Sequence, residues 1–266
     1  MKQVVKEGTN QIIGNVILKN AEIIFKGTDN VFYCKNKLIL ENCKVRFTGN
    51  HSLIYIDEND YPMSLNMRVG NDSVIYIGKD CYVNRTSHLY ATERKNIIIG
   101  NQLLLSFETY FRTADPHIIY DCNLSKRVNE SKSILIGDRV WIGQQSLLLK
   151  GTVIGSGGIL GGHTVIANKR VPSNTLFAGN PACKVKEHVF FGYHYSTHDF
   201  TEEQEQQSLL YQEEDKKQFV YEKDKYTCSL EQIDQHLQHL SCVQDKINYI
   251  EENIIKNKHK NRFYLS

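Results

Sequence analysis

The residues best suited to chemistry lie in one short segment, in which a histidine stands between two carboxylates. His117 is preceded by Asp115 and followed by Asp121, and Cys122 comes directly after. An imidazole titrates near neutral pH and can take the proton of an attacking alcohol, provided that a second group fixes its tautomer and orientation. Asp115 and Asp121 could each be that group. The segment therefore makes His117 the candidate general base. A structural loop histidine and a thiol nucleophile at Cys122 are the alternatives.

A strict six-residue repeat follows this segment and predicts the scaffold that positions it. Neither an α-helix nor an alternating strand has this period. Small residues follow most of the repeated aliphatics, as tight corners between short strands require. We expect each unit to form one strand and one corner, three units to close a coil, and the coils to stack as a β-solenoid. A coincidental run within a β-sandwich is the alternative. The repeated aliphatics are Ile136, Ile142, Leu148, Ile154, Leu160 and Ile166.

A looser repeat precedes the strict one. Gly27, Gly49 and Gly70 each lead through polar turn residues into a short apolar strand that carries an aromatic residue. The spacing of about 21 to 22 residues predicts coils with small corner insertions, so that the solenoid begins near residue 10. The phase is lost between Phe111 and Ile136. We therefore expect residues 112–135 to form a loop extruded from the solenoid, and loops on rigid scaffolds often carry function.

After about residue 200 the composition changes to Glu, Gln, Lys and Asp with a helical spacing of leucines and isoleucines. Thr201 with Gln204 and Ser229 with Gln232 match the capping-box pattern. An apolar stripe then runs from Leu230 to Ile254, and we expect it to pack against the solenoid or a neighbouring subunit. This predicts a β-helical domain over 1–200 and an α-helical extension over 201–266. The basic tail 256–262 is interpreted as a solvated helix end, with an anionic polymer or membrane surface as the alternative.

Composition excludes several classes of protein. The 266-residue chain is 41% hydrophobic and has a formal net charge of +2, so it is globular and shows no bulk signature of nucleic-acid binding. Its seven cysteines are scattered without a CxxC pair, which is typical of reduced thiols in a cytosolic protein. We see no signal peptide or transmembrane segment, and a cytoplasmic location is expected.

The stretch from Tyr110 to about Phe200 resembles the hexapeptide-repeat acyltransferases, which have a left-handed β-helix fold. It is most similar to the bacterial polysialic-acid and capsule O-acetyltransferases, through the His117 loop and residues 195–197. The shared motifs also include a Trp-Ile-Gly sequence at Trp141 and a Gly-Asn-Pro-Ala sequence at Gly179. The matching residues are Arg112, Asp115, His117 and Tyr120, with 127–129, 136–143, 149–151, 162–165 and 178–182.

The resemblance implies a homotrimer in which acetyl-CoA lies in the groove between two subunits and a sugar acceptor enters near the histidine loop. His117 would be the general base and would act with Asp115. The acetyl group would pass directly to a hydroxyl, without a covalent enzyme intermediate. The enzyme would mainly align its substrates and stabilise the oxyanion through backbone N–H groups.

The resemblance also suggests which residues bind the co-substrate. Trp141 would support the pantetheine arm or close the acyl pocket, although a plug on the prism surface is the alternative. Relatives contact CoA at the positions of Gln144, Gly162 and Asn168. Cys183 stands where relatives have a basic residue, so Lys186 is the preferred contact to the CoA phosphates, with Lys184 as the alternative.

No catalytic metal is expected. His163 lies among the hexads, but a zinc site needs closely placed ligands on adjacent coils, and His51 and His88 lack the required offsets. His194 and His198 could border the acceptor site.

The sequence therefore predicts an acetyl-CoA-dependent O-acetyltransferase acting on a bacterial surface carbohydrate, such as a capsular or sialic-acid-containing polysaccharide. An acetyltransferase for a nucleotide sugar or a small molecule is the alternative within this class. A non-catalytic β-solenoid scaffold is the alternative from another class.

Overall fold

The computed structural model describes residues 4–192 and 197–266, which form a mainly β structure with about seven solenoid turns. In chain order the strands are β1 (Val4–Glu7), β2 (Asn10–Lys19), β3 (Glu22–Phe25), β4 (Val31–Glu41), β5 (Lys44–Phe47), β6 (Leu53–Ile56), β7 (Leu65–Val69), β8 (Val74–Ile77), β9 (Tyr82–Val83), β10 (Ser87–Ala91), β11 (Ile97–Ile99), β12 (Leu104–Leu105), β13 (Tyr110–Arg112), β14 (Tyr120–Asp121), β15 (Lys126–Arg127), β16 (Ile134–Ile136), β17 (Trp141–Ile142), β18 (Leu147–Leu149), β19 (Val153–Ile154), β20 (Ile159–Leu160), β21 (Val165–Ile166), β22 (Arg170–Val171), β23 (Thr175–Ala178) and β24 (Cys183–Glu187).

These strands form three long sheets that run along the solenoid as the faces of a prism. The first face is a nine-stranded sheet of order β1-β2-β4-β6-β8-β11-β16-β19-β22. The second is a seven-stranded sheet, β21-β18-β13-β10-β7-β5-β3, and the third is a six-stranded sheet, β24-β23-β20-β17-β12-β9. The strands of successive coils pair in parallel, as stacking requires.

The register confirms the predicted coil. Ile136 pairs with Ile154, and Leu148 pairs with Ile166, so three hexads separate equivalent residues of adjacent coils. The repeated aliphatics all have fully buried side chains and line one shared core. Burying each such side chain stabilises the fold by roughly 1.5–3 kcal/mol. This arrangement excludes the β-sandwich.

The corners show why small residues follow the aliphatics. A Cβ added at Gly143 would lie 2.5 Å from the amide nitrogen of Gly162, and one added at Gly137 would lie 2.6 Å from that of Ser156. No side chain fits at such distances without displacing the backbone of the next coil. The glycines therefore permit the 18-residue coils to stack at β-sheet spacing.

Short helices follow the solenoid. They are a 3₁₀-helix (Thr197–Asp199), α1 (Glu202–Gln207), α2 (Glu213–Phe219), α3 (Leu230–His239), α4 (Val243–Ile250) and a π-helix (Glu251–Ile255). Thr201 and Gln204 form the predicted capping box, and the Ser229 hydroxyl accepts a hydrogen bond from the Gln232 amide at 3.2 Å. The apolar stripe is divided between α3 and α4 because the backbone of Leu240 is extended, with φ −83° and ψ 122°.

Helices α3 and α4 pack on the outer face of the nine-stranded sheet, which confirms that the apolar stripe packs against the solenoid. Tyr33, Tyr55 and Tyr76 form a column on this face, with the Tyr33 and Tyr55 rings stacked at 4.4 Å. Leu237 and Ile250 are completely buried against the same cluster. Lys246 also lies at this junction and donates to the carbonyl oxygens of His51 and Asp72 at 2.9 and 3.0 Å. The boundary between two domains at residue 200 stays a prediction.

The basic tail differs from its prediction. Helical structure ends at Ile255, after which the chain folds back and buries Arg262, leaving 3% of it exposed. Its guanidinium donates to both carboxylate oxygens of Asp138, each at 2.7 Å. The interpretation of 256–262 as a solvated helix end is therefore wrong for Arg262, because the partly buried Asp138 carboxylate on the solenoid attracts it. None of the helices within 4–192 and 197–266 is long and apolar enough to cross a membrane.

Candidate active site

The histidine loop leaves the solenoid after β13 and rejoins it at β16. It contains a small antiparallel hairpin, in which Tyr120 pairs with Arg127. His117 lies just before the hairpin, and its side chain is exposed. The predicted interruption of the coils is thus an ordered excursion that holds the candidate base outside the prism.

Asn129 holds the backbone around His117. Its side-chain amide donates to the carbonyl oxygen of His117 at 2.8 Å and to the carboxylate of Asp115 at 3.0 Å. Its side-chain oxygen accepts from the amide of Ile119 at 2.9 Å. Asn129 is only 6% exposed, so these bonds form in a partly dry environment. One buried amide therefore fixes the chain on both sides of the candidate base.

Lys150 ties the same loop to the solenoid wall. Its ammonium group donates to the Asp115 carboxylate at 2.6 Å and to the carbonyl oxygen of Asn129 at 3.1 Å. The hydrogen bond from Lys150, helped by the one from Asn129, lowers the pKa of Asp115 below its usual value. The ion pair is therefore present at neutral pH, and its contribution to stability is lost as the pH falls through that lowered pKa.

The two carboxylates predicted to orient His117 have other contacts in this chain. Asp115 binds Lys150 and Asn129, whereas Asp121 accepts the amides of Asn123 and Leu124 at 2.8 Å and so closes the hairpin turn. Among residues 4–192 and 197–266, neither carboxylate is hydrogen-bonded to the His117 ring. The catalytic role of Asp115 stays a prediction, and its observed contacts position the loop.

Trp141 lies on the six-stranded sheet with 38% of its surface exposed. Its ring rests at 5.8 Å from that of Phe191, which is buried. Arg139 supports Phe191 by donating to its carbonyl oxygen at 3.1 Å. The arrangement holds a broad apolar ring on the surface, with one face available to a ligand.

The residues predicted to contact CoA lie on the last coils. Gly162 stacks beside Gln144, since an added Cβ would lie 3.5 Å from the Gln144 side chain. Gln144 is exposed at the corner between β17 and β18, and Gly162 is exposed at the equivalent corner one coil later. Asn168 is exposed at another corner, where its side-chain oxygen accepts from Lys132 at 2.7 Å.

Comparison with known proteins gives a consistent result. No family model matches the chain. A putative lipopolysaccharide biosynthesis O-acetyl transferase, WbbJ, from Escherichia coli K12 is 28% identical over 59% of this chain and 82% of its own length. The polysialic acid O-acetyltransferase of Neisseria meningitidis is 28% identical over 55% of this chain and 69% of its own length. The one from Escherichia coli O1:K1 is 29% identical, but the match spans 42% of that enzyme.

The solved structures agree on the fold. The polySia-specific acetyltransferase NeuO has a TM-score of 0.64 at 23% identity, over 77% of this chain and 88% of its own. The polysialic acid O-acetyltransferase OatWY has a TM-score of 0.54 at 23% identity, over 74% and 92%. This chain resembles the hexapeptide-repeat O-acetyltransferases in sequence and in fold. The predicted resemblance and the left-handed parallel β-helix are thereby confirmed.

Within one chain of this hexapeptide-repeat protein, the predicted site residues lie at different corners of the prism. The His117 loop, Lys150 and Asn168 share the corner between the seven- and nine-stranded sheets, as strand order shows. Trp141 lies on the six-stranded sheet, and Gln144 lies where that sheet turns into the seven-stranded one. One chain therefore holds the predicted residues at two separate corners of the prism.

The remaining predicted residues are placed as follows. Lys186 is exposed on β24, opposite Leu176, while the neighbouring Lys184 forms an ion pair with Glu187. His163 is exposed in a turn, and the described residues contain no group of three or more His, Cys, Asp and Glu suited to a metal ion. His198 lies exposed in the 3₁₀-helix. His194, Tyr195 and Ser196 lie outside the described residues.

Proposed function

We propose that this protein transfers the acetyl group of acetyl-CoA to a hydroxyl of a bacterial surface carbohydrate. The proposal rests on one observation, the ordered loop of His117. This loop projects from the side of a β-helix that has the fold of acetyltransferases. Relatives named for lipopolysaccharide and polysialic acid O-acetylation support the acceptor class. The reaction would take place in the cytoplasm, where acetyl-CoA is made.

His117 removes the proton of the acceptor hydroxyl as the oxygen attacks the thioester carbonyl. Because the thioester is already reactive, positioning and charge stabilisation supply most of the acceleration. Asn129 and the Asp115–Lys150 ion pair hold the loop so that the imidazole meets the hydroxyl. Backbone N–H groups stabilise the oxyanion, and the CoA thiolate leaves without a covalent enzyme intermediate.

The chain has surfaces that fit CoA. Gly162 carries no side chain at its exposed corner, so a pantetheine arm could run close to the backbone there, on the same side as the exposed Trp141 ring. Asn168 offers a polar side chain at the corner below the histidine loop. Lys186 has no ion pair within the described residues, unlike Lys184, and is the better candidate for a CoA phosphate.

A homotrimer with sites between subunits accounts for the predicted residues lying at two corners. The histidine hairpin exposes a set of large apolar side chains, which a second copy of the chain would cover. In such a trimer, the corner between the seven- and nine-stranded sheets docks against the next subunit. The His117 loop of one chain then meets the Trp141 face of another. The exposed apolar residues of the hairpin are Ile118, Ile119, Tyr120, Leu124 and Val128, each more than half exposed.

Acetyl-CoA is expected to stabilise the protein in a thermal-shift titration. A ligand at a hundred times its Kd stabilises the native state by about 2.7 kcal/mol, which raises the Tm by several degrees. Lys186→Gln should weaken this binding about tenfold through the loss of one charge-assisted contact. Lys184→Gln is the matched control and should leave it unchanged. No shift at saturating acetyl-CoA would favour a non-catalytic scaffold.

Replacing Asn129 with alanine is expected to lower kcat by about 10²-fold, because a base displaced by an ångström loses its alignment with the hydroxyl. The variant removes the bonds to the His117 carbonyl and the Asp115 carboxylate together. Asn123→Ala, at the exposed hairpin turn, is the control. Steady-state rates and Tm should be measured for both. Equal rates in the two variants would show that Asn129 does not position the base.

A further inference from the structure

The outer face of the seven-stranded sheet carries a column of cationic and aromatic side chains that we call the arginine ladder. It consists of Arg46, Arg68, Tyr90 and Arg112, which are register neighbours across β5, β7, β10 and β13. The residues immediately before them along each strand point into the core and are buried. These inward residues are Val45, Met67, Leu89 and Phe111.

Aromatic rings hold two of the three guanidinium groups in place, those of Arg68 and Arg112. The Tyr90 ring centroid lies 5.5 Å from the guanidinium carbons of both Arg68 and Arg112. In the adjacent column His88 stacks on Tyr110 at 4.2 Å, and its Nδ1 lies 3.1 Å from the Tyr90 hydroxyl oxygen. A guanidinium group that lies over an aromatic ring still has N–H groups that can bind a ligand.

The charge of the ladder is not balanced by the protein. None of the three arginines forms an ion pair within residues 4–192 and 197–266, whereas Arg127 pairs with Glu93 at 2.8 Å. Arg46 and Arg68 are register partners on the parallel strands β5 and β7, so their like charges repel each other. The formal net charge of the chain is only +2, so this positive column is a local feature. An external anion would relieve the repulsion.

We propose that the arginine ladder binds the acidic chain of the carbohydrate acceptor and directs it toward His117. The inference rests on the proposed function and assigns the surface on which this chain would hold an anionic glycan. Arg112 is the last residue of β13, where the loop that carries His117 begins. From Arg46 to Arg112 the ladder crosses three strand spacings, about 14 Å, which is longer than one sugar unit. Guanidinium groups bind carboxylates and phosphates in a bidentate manner, so sugar acids and phosphodiester glycans share the required chemistry.

Binding of sialic-acid oligomers tests the ladder. Arg46→Gln with Arg68→Gln should weaken their binding about tenfold and should reduce its dependence on salt. In turnover the loss should appear as a higher KM for the acceptor. Lys19→Gln with Lys37→Gln removes the same charge from the nine-stranded sheet and is the matched control. Neutral maltose oligomers should bind the unaltered protein at least tenfold more weakly than the acidic ones.

The outcomes distinguish glycan binding by the arginine ladder from the proposed acetyl transfer. Salt-dependent glycan binding that the arginine variant loses supports the ladder even if no acetyl transfer is found. Tighter binding of a phosphodiester-linked glycan supports it and assigns the anion as phosphate. Equal binding of acidic and neutral oligomers, equal losses in the arginine and lysine variants, or preferential binding of single-stranded RNA would each overturn it.

Discussion

Replacement of His117 by alanine is expected to lower acetyl transfer about 10³-fold while the protein remains folded, because a general base contributes about 10²–10⁴-fold to such a reaction. The imidazole is exposed on the loop, so its loss removes no core packing. Rates should be measured with saturating acetyl-CoA and the best acceptor found. Tm and oligomeric state should match those of the unaltered protein.

Two controls make this result specific. His163→Ala alters another exposed histidine on the solenoid and should retain full activity. Cys122→Ser removes the exposed thiol five residues beyond His117 and should also retain it, whereas a covalent mechanism through that thiol predicts inactivity. Near-normal turnover of the His117 variant would show that the base has been misassigned.

Replacing Arg262 with methionine is expected to reduce the free energy of unfolding by about 3 kcal/mol, because the partly buried Asp138 carboxylate loses its counter-charge. Asp138 is held by both guanidinium contacts and accepts the Asn101 amide at 2.7 Å. Arg262 also donates to the Asn257 carbonyl at 2.7 Å, which fixes the tail. Urea denaturation measures the loss.

Further variants distinguish the loss of the ion pair from the loss of side-chain packing as the cause of this destabilisation. Lys256→Met removes an exposed cation of the same tail and should change stability by less than about 1 kcal/mol. Combining Asp138→Asn with Arg262→Met should restore part of the stability, because no charge is then left buried without a partner. A double variant less stable than Arg262→Met alone would contradict this account.

The period of the core residues made most of the fold predictable. Ile136, Ile142 and Leu148 recur because each coil repeats the same geometry, so local sequence encodes the long-range pairing directly. Because every coil follows this period, the segment in which the period is lost predicted the position of the histidine loop. Repeat proteins allow this because each unit contacts only its neighbours.

The contacts that position the site were not predictable in this way. Asn129 and Lys150 lie inside motifs shared with the acetyltransferases, but their partners depend on how the loop folds back onto the wall. The pairing of Arg262 with Asp138 joins residues far apart in sequence. The apolar stripe breaks at Leu240, where the backbone is extended, and the helical spacing of the stripe alone did not predict two separate helices.

The arginine ladder was likewise not predictable from the sequence. Net charge argues against a basic surface, and Arg46, Arg68 and Arg112 are separated by one or two whole coils in the sequence. Only the register places them in one column. A chain with nearly zero net charge can thus have a strongly positive surface when its solenoid places arginines one coil apart in the same column.

Direct detection of the acetylated product tests the central proposal. The protein would be incubated with acetyl-CoA and sialic-acid oligomers, and the products analysed by NMR and mass spectrometry. The account predicts one acetyl ester on a sugar hydroxyl for each CoA thiol released, and no ester with the His117→Ala variant. Acetyl-CoA that binds without producing an ester on any acidic, neutral or nucleotide-linked sugar would contradict it.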